Sequence, residues 1–204
     1  MDLTGIQIDV AAARHGQGLA QLFGTNGYGC YCRYWHFAGT AREWLARCAH
    51  EPEQNRAEML SALNGRGPEM HGMVAENREG EVIGWLKLAR ADQLTKLYDQ
   101  RLYKGLAALA RHPDAIWAVG CVFVREDFRR QGVARALLKG AVGAAASWGA
   151  RALEAFPRSD TDVADAALMM GPLKLFTDAG FEVVHDFRPY PILRLELQAG
   201  GATA

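Results

Sequence analysis

The segment IQIDV, residues 6–10, alternates apolar and polar side chains, the period of a strand with one covered face, and helical spacing takes over from about Arg14 to Phe23. TNGYGCYCRYWHFAG, residues 25–39, follows neither period and predicts a loop. A helix opens at Thr40, with Glu43 three residues on at the spacing of a capping box. A second helix starts at Pro52 and runs to a glycine stop. HGMVAENREGEVIGWLKL, residues 71–88, is two apolar runs around Asn77-Arg78-Glu79-Gly80, a hairpin signal. Residues 91–111 read as an irregular helical stretch closed by Pro113.

AIWAVGCVFV, residues 115–124, is almost unbroken in its apolar character, as a strand covered on both faces would be. Beyond a polar turn, Val133, Leu137, Ala141, Ala144 and Trp148 recur at helical spacing, and Gly149 ends the helix. RALEAFP is a further buried strand, so this strand, helix and strand predict a parallel, right-handed unit. GPLKLFTDAGFEVVHDF gives a short helix with proline at its first position, a stop at Gly180 and a strand, and ILRLELQ alternates as the last strand. The order of elements predicts an α/β (α+β) fold with a mixed sheet in place of a doubly wound parallel one.

A length of 204 residues suits one domain, expected over 1–198, with AGGATA at 199–204 as a disordered tail. Twenty-three acidic residues balance twenty-three Lys plus Arg, so no overall field draws the chain to nucleic acid or an anionic membrane. The N-terminus lacks a signal-peptide pattern and no segment nears the roughly eighteen apolar residues of a span, which makes the cytoplasm the expected location. Four cysteines without a secreted framework read as reduced thiols.

The chemistry concentrates in the polar turn. Arg129-Arg130-Gln131-Gly132-Val133-Ala134 stands at a helix N-terminus, where unpaired backbone N–H groups and roughly half a positive charge favour an anion. Gly132 and Ala134 leave the backbone open to a phosphate, and Arg129, Arg130 and Arg135 surround it with charge. The residues of a triphosphate loop or of a dinucleotide fingerprint are missing, which leaves a compact pyrophosphate seat. A basic helix start with solvated arginines is the plainer alternative.

Taken with Val124 at the strand end, Phe128 ahead of the motif arginine and the closing LFTDAGFEVV, this turn resembles the [R/Q]-x-x-G-x-[G/A] motif of the GNAT superfamily of N-acetyltransferases over about residues 70–198. The resemblance implies a mostly antiparallel sheet, with helices on both faces and one parallel strand pair splayed around acetyl-CoA. The pyrophosphate would lie on the amides of residues 130–135, and the pantetheine arm would pair with the edge of Val122-Phe123-Val124. It implies that the Val122 N–H polarises the thioester carbonyl, where one fixed amide can be worth about 3 kcal/mol. A homodimer is also possible on the family pattern.

The acceptor side departs from the pattern. Ala118 occupies the place of the frequent glutamate base, and Glu154, in the middle of an apolar strand, is the substitute that the sequence offers. A structural carboxylate bonded to backbone or arginine is the equally weighted alternative for Glu154. Phe176 stands where the family has a tyrosine acid and is expected to pack on the cofactor or in the core. Cys30, Cys32, His36, Cys48 and His50 lack zinc-site spacing and read as buried thiols and loop residues, with no metal expected. The segment also resembles an aromatic Cys-x-Cys-x-Tyr-Trp stretch of some bacterial GNAT-like proteins. Tyr31, Tyr34 and Trp35 are therefore the candidates for acceptor contacts, against a plain hydrophobic plug.

The leading expectation is acetyl transfer from acetyl-CoA to a primary amine, small-molecule or peptide N-terminal, by direct attack. A catalytically degenerate acyl-CoA-binding sensor and a zinc-stabilised binding module are the alternatives.

Overall fold

A computed structural model describes residues 5–25, 27–66, 70–109, 115–159 and 169–197. Seven strands form one sheet: β1 (Gln7–Val10), β2 (His71–Glu76), β3 (Val82–Arg90), β4 (Ile116–Val124), β5 (Ala152–Ala155), β6 (Glu182–His185) and β7 (Ile192–Glu196). Their order is β1-β2-β3-β4-β5-β7-β6, and every pairing is antiparallel except β4 with β5. That is the mixed sheet the order of elements predicts. The parallel pair is short, matching Ile116–Ala118 with Ala152–Glu154, after which β4 runs on to Val124 paired with β3 only.

The principal helices are α1 (Gly16–Gly24), α2 (Ala41–His50), α3 (Pro52–Leu63), α4 (Thr95–Tyr98), α5 (Val133–Ser147) and α6 (Leu173–Thr177). Thr40 and Glu43 form the reciprocal cap that starts α2. The irregular stretch after β3 is α4 between short 3-10 turns at 91–93 and 107–109, and Pro113 lies outside the described residues, as does the tail. Pro172 sits one position earlier than its sequence reading, as the N-cap of α6. Among the described residues no helix is long and apolar enough to cross a membrane.

Helices cover both faces. Val133, Leu137 and Ala141 of α5 join Leu86, Leu88, Val119 and Leu193 in one core, while Leu19 and Phe23 of α1 and Met59 of α3 bury Trp85 and Val74 on the opposite face. The α5 contact is close because Gly84 lacks a side chain. A Cβ there would lie 3.0 Å from both Leu137 Cδ1 and Val133 Cγ1.

One irregularity sits at the centre of the sheet. Lys87 opposes Cys121 while Leu88 opposes Val119, so Gly120 is the extra residue of a β-bulge. The bulge re-aims β4: Trp117 and Val119 lie with the α5 core before it, and Val122 and Val124 do so after it.

Candidate active site

The splay between β4 and β5 leads to the N-terminus of α5. The chain leaves Val124, makes a 3-10 turn at Glu126–Phe128, and enters α5 through Gly132 at φ 89°. This is the left-handed region that glycine adopts without strain. Arg130 is also left-handed, at φ 59°. The first backbone N–H groups of a helix have no intrahelical partner, and no side chain caps them in α5.

They open into a cavity of about 580 Å³ lined by Val122, Val124, Phe128, the turn and first helical residues, and Pro172, Lys174 and Leu175 across the gap. Arg129, Arg130, Gly132, Val133, Ala134 and Arg135 all line it. The Arg129 Nε donates to the Val124 carbonyl at 3.1 Å, which fastens the turn to the end of β4. Arg135 is largely exposed and pairs with Asp178 at 3.5 Å. A cavity that combines four cationic side chains and uncapped amides with the apolar Val122, Val124 and Leu175 suits a ligand with a polyanionic head and a slender arm.

Several expected site residues stand elsewhere. The Phe123 ring faces the opposite side of the sheet, 6.2 Å from Phe23, because strand residues alternate faces. Gln131 turns back to donate to the Asp127 carbonyl at 2.7 Å and is absent from the cavity wall. Phe176 is fully buried in the core against Phe181 and takes the packing alternative. The Val122 N–H does not face an open edge: it donates to the Met169 carbonyl at 2.8 Å.

Glu154, for which the sequence leaves a general base and a bonded structural carboxylate open, has partners on both oxygens. It is fully buried, its Oε2 accepts from the Tyr98 hydroxyl at 2.6 Å, and its Oε1 accepts from Arg194 Nε at 3.1 Å across the β5–β7 pair. Burial and the neighbouring carboxylate push the Tyr98 phenol well up, so it stays the proton donor in that bond. Glu154 lines a separate cavity of about 170 Å³ with Tyr98, Thr95 and Ile116, and the bonded structural alternative describes it.

The aromatic segment divides. Tyr31 is buried edge-on to Phe23 and plugs the core. Tyr34 meets Trp35 edge-on and Trp44 at a tilt, with Lys96 Nζ 4.6 Å from its ring centre. Trp35 donates its indole N–H to the Gly120 carbonyl at the bulge, 2.7 Å, and lines another cavity of about 170 Å³ with Leu97, Tyr103, Phe156, Met170 and Tyr190. Those five residues come from well-separated segments, so no local spacing marks them as neighbours. Met169 lines this cavity too, while its carbonyl bonds Val122 at the wall of the larger one.

Among the described residues, no three of the cysteines and histidines of the aromatic segment and α2 lie within reach of one ion. Asp9, His15 and Glu76 do. However, His15 Nδ1 accepts the Ala12 N–H at 2.9 Å, which places the ring proton on Nε2, the atom facing Glu76. Metal ligation at Nε2 would displace that proton and create an imidazolate, so the trio is poorly suited to hold an ion.

No curated protein matches the sequence. Among solved structures, a GCN5-related N-acetyltransferase from Kribbella flavida is similar over 96% of this chain and 100% of its own, with TM-score 0.55 and 16% identity. yncA from Salmonella typhimurium, solved with its cofactor acetyl-CoA, is similar over 98% of both chains with TM-score 0.52 and 15% identity. PaiA N-acetyltransferase from Thermoplasma acidophilum, in complex with coenzyme A, covers 94% of this chain and 98% of its own at TM-score 0.52 and 10% identity. The model of the acetyltransferase (GNAT) family matches residues 38–171, a span that holds the bulged strand, the uncapped helix and the turn between them, and the chain belongs to that family.

Proposed function

We propose that the protein is an acetyl-CoA-dependent N-acetyltransferase that passes the acetyl group to the primary amine of a small-molecule acceptor by direct attack in a ternary complex. The uncapped N-terminus of α5, opening into a cavity ringed by Arg129, Arg130, Arg135 and Lys174, carries this reading. The diphosphate of the coenzyme lies on those amides and the pantetheine arm runs toward Val122. Coenzyme A and acetyl-CoA in the PaiA and yncA structures support that choice of ligand.

In the reaction the amine nitrogen attacks the thioester carbonyl carbon, negative charge gathers on oxygen, and collapse expels the coenzyme thiolate. A thiolate of pKa near ~8.5 leaves without an acid, which fits a phenyl ring at Phe176. For Val122 to polarise the carbonyl, the thioester oxygen replaces the Met169 carbonyl as the partner of its N–H. Ala118 is a buried methyl and Glu154 is held by Tyr98 and Arg194, so neither takes the proton of the amine. Amines that are partly neutral near pH 7 therefore suit this site, α-amines of pKa about 8 among them. The cavity walled by Trp35, Tyr103, Phe156 and Tyr190 is sized for a small apolar group. A peptide N-terminus satisfies the same amine chemistry.

A second reading, an acyl-CoA-binding sensor, is favoured by the absent base and by the Met169 carbonyl on Val122. Free-thiol release from acetyl-CoA across a panel of amines separates the two. Amine-stimulated release establishes the enzyme, whereas coenzyme binding without release establishes the sensor. Reversing charge at Arg130 and Arg135 is expected to weaken coenzyme binding at least tenfold by calorimetry, and unchanged binding would refute the phosphate seat. Arg129 is left intact because it also holds the turn to β4.

A further inference from the structure

On the face of the sheet opposite α5, a group of polar side chains is buried that acyl transfer does not use. Lys87 is fully buried, and among the described residues its Nζ has no hydrogen-bond partner. It opposes Cys121 at the bulge, with its stem beneath Gly120, where an added Cβ would lie 3.1 Å from Lys87 Cδ. Cys32 reaches the same place from the aromatic loop. The Trp85 indole N–H donates to its Sγ at 3.2 Å, and Cys121 packs against the same cluster.

The loop backbone is left-handed at Tyr31 and Cys32, φ 43° and 57°. That conformation costs a non-glycine residue about 1 kcal/mol or more, and here it accompanies the inward turn of Cys32.

Two thiols packed in one buried cluster, one of them accepting the Trp85 N–H and the other opposite a buried lysine, make an activated dithiol. Burial by itself raises the Cys32 thiol. The hydrogen bond from Cys121, the charge of Lys87, the Trp85 N–H and the charge of Arg33 outweigh it and bring the thiol down to about 6. The bond to Cys32 and burial push Cys121 well up, and burial pushes Cys30 up to about 11. Cys32 is thus the thiolate and Cys121 the proton-bearing neighbour. Positive charge from Lys87 and Arg33 at this point disfavours a metal cation.

We propose that Cys32 and Cys121 are a peroxide-oxidisable pair that closes a disulfide between the aromatic loop and β4, one residue before Val122. The Cys32 thiolate attacks a peroxide oxygen, the O–O bond breaks, and Cys32 becomes a sulfenic acid. The departing hydroxide takes a proton from the Lys87 ammonium and leaves as water. Cys121 sulfur then attacks the Cys32 sulfur, the S–O bond breaks, and the hydroxide leaves with the Cys121 proton as a second water. Two electrons pass from the thiols to the peroxide, and Lys87 ends neutral, the form burial favours. The oxidant is a small peroxide because Cys32 is nearly inaccessible while Cys121 is only partly covered.

The test uses the reduced full chain, treated with hydrogen peroxide at neutral pH, alkylated, digested and read by mass spectrometry. The expected product is a Cys32–Cys121 cross-link, with two thiols lost and both restored by dithiothreitol. In Cys121→Ser, oxidation stops at a Cys32 sulfenic acid captured by dimedone. In Lys87→Met, Cys32 reacts at least about tenfold more slowly. A first cross-link through Cys30 or Cys48, or a Cys32 that stays free while those thiols oxidise, overturns the proposal. The cross-link in the unaltered chain decides the matter if a variant fails to fold, and no turnover is needed to read it.

Discussion

Glu154 is held by two partners that, among the described residues, have no other buried anion to serve, so its neighbourhood tests whether it is structure or chemistry. Removing Arg194 strands a buried carboxylate. Arg194→Met is therefore expected to cost about 3–5 kcal/mol in urea unfolding, and adding Glu154→Leu should recover most of it. Glu154→Gln should leave turnover within a few fold, whereas a loss of a hundredfold or more would restore it as the general base. His36 offers a second test, in pH. Burial first, then the charges of Lys87 and Arg33, push its imidazole down to about 3 from an ordinary 6.5. The unfolded chain therefore binds a proton that the folded chain refuses between those values. The resulting stability is complete above pH 6.5 and is lost as pH falls toward 3. Burial and Arg14 lower His15 too, which acts in the same window. Unfolding free energy should fall between pH 7 and pH 4, and His36→Met should show a shallower fall. An identical slope would assign the proton elsewhere.

At the scale of elements, the anion seat depends on how closely α5 lies on β3. Gly84 permits that approach, with the Leu137 and Val133 side chains each 3.0 Å from where its Cβ would be. Gly84→Val should cost about 1–3 kcal/mol by overpacking. Because Val133 is the first residue of α5, the substitution should also weaken coenzyme affinity by calorimetry. Normal affinity in a destabilised variant would show that the seat does not depend on helix position. The same elements explain what the sequence reveals. β4 and α5 are legible because burial on both faces and a helical stripe each leave a local period, and the turn between them is legible because the anion seat proposed there needs contiguous residues. The partners of Glu154 lie 56 and 40 residues away, and the cavity at Trp35 draws on well-separated segments, so no periodicity reports them. The facing of the Phe123 and Phe176 rings is hidden for a different reason: motif position fixes a residue along the chain, while strand alternation and core packing decide which way it faces.

Over the whole molecule, equal numbers of acidic and basic residues leave no long-range field, so attraction for a polyanion must come from the cations at the α5 turn. A ligand that binds only the folded state stabilises it by about 2.7 kcal/mol at a hundred times its Kd. For a chain of this size that is roughly 5–10 °C in Tm. Coenzyme A and acetyl-CoA should both produce that shift, since the diphosphate and not the acetyl group supplies the anchoring charge. Pantetheine, which has the arm without the diphosphate, should produce little. Half-molar salt should reduce the coenzyme shift without abolishing it, because screening weakens the arginine attraction while short hydrogen bonds to the amides of α5 persist. Charge reversal at Arg135 should remove much of the shift and leave the ligand-free Tm nearly in place, since Arg135 is exposed and its ion pair with Asp178 is long. A pantetheine shift equal to that of coenzyme A would place the binding energy along β4 and dismiss the helix terminus as the anchor.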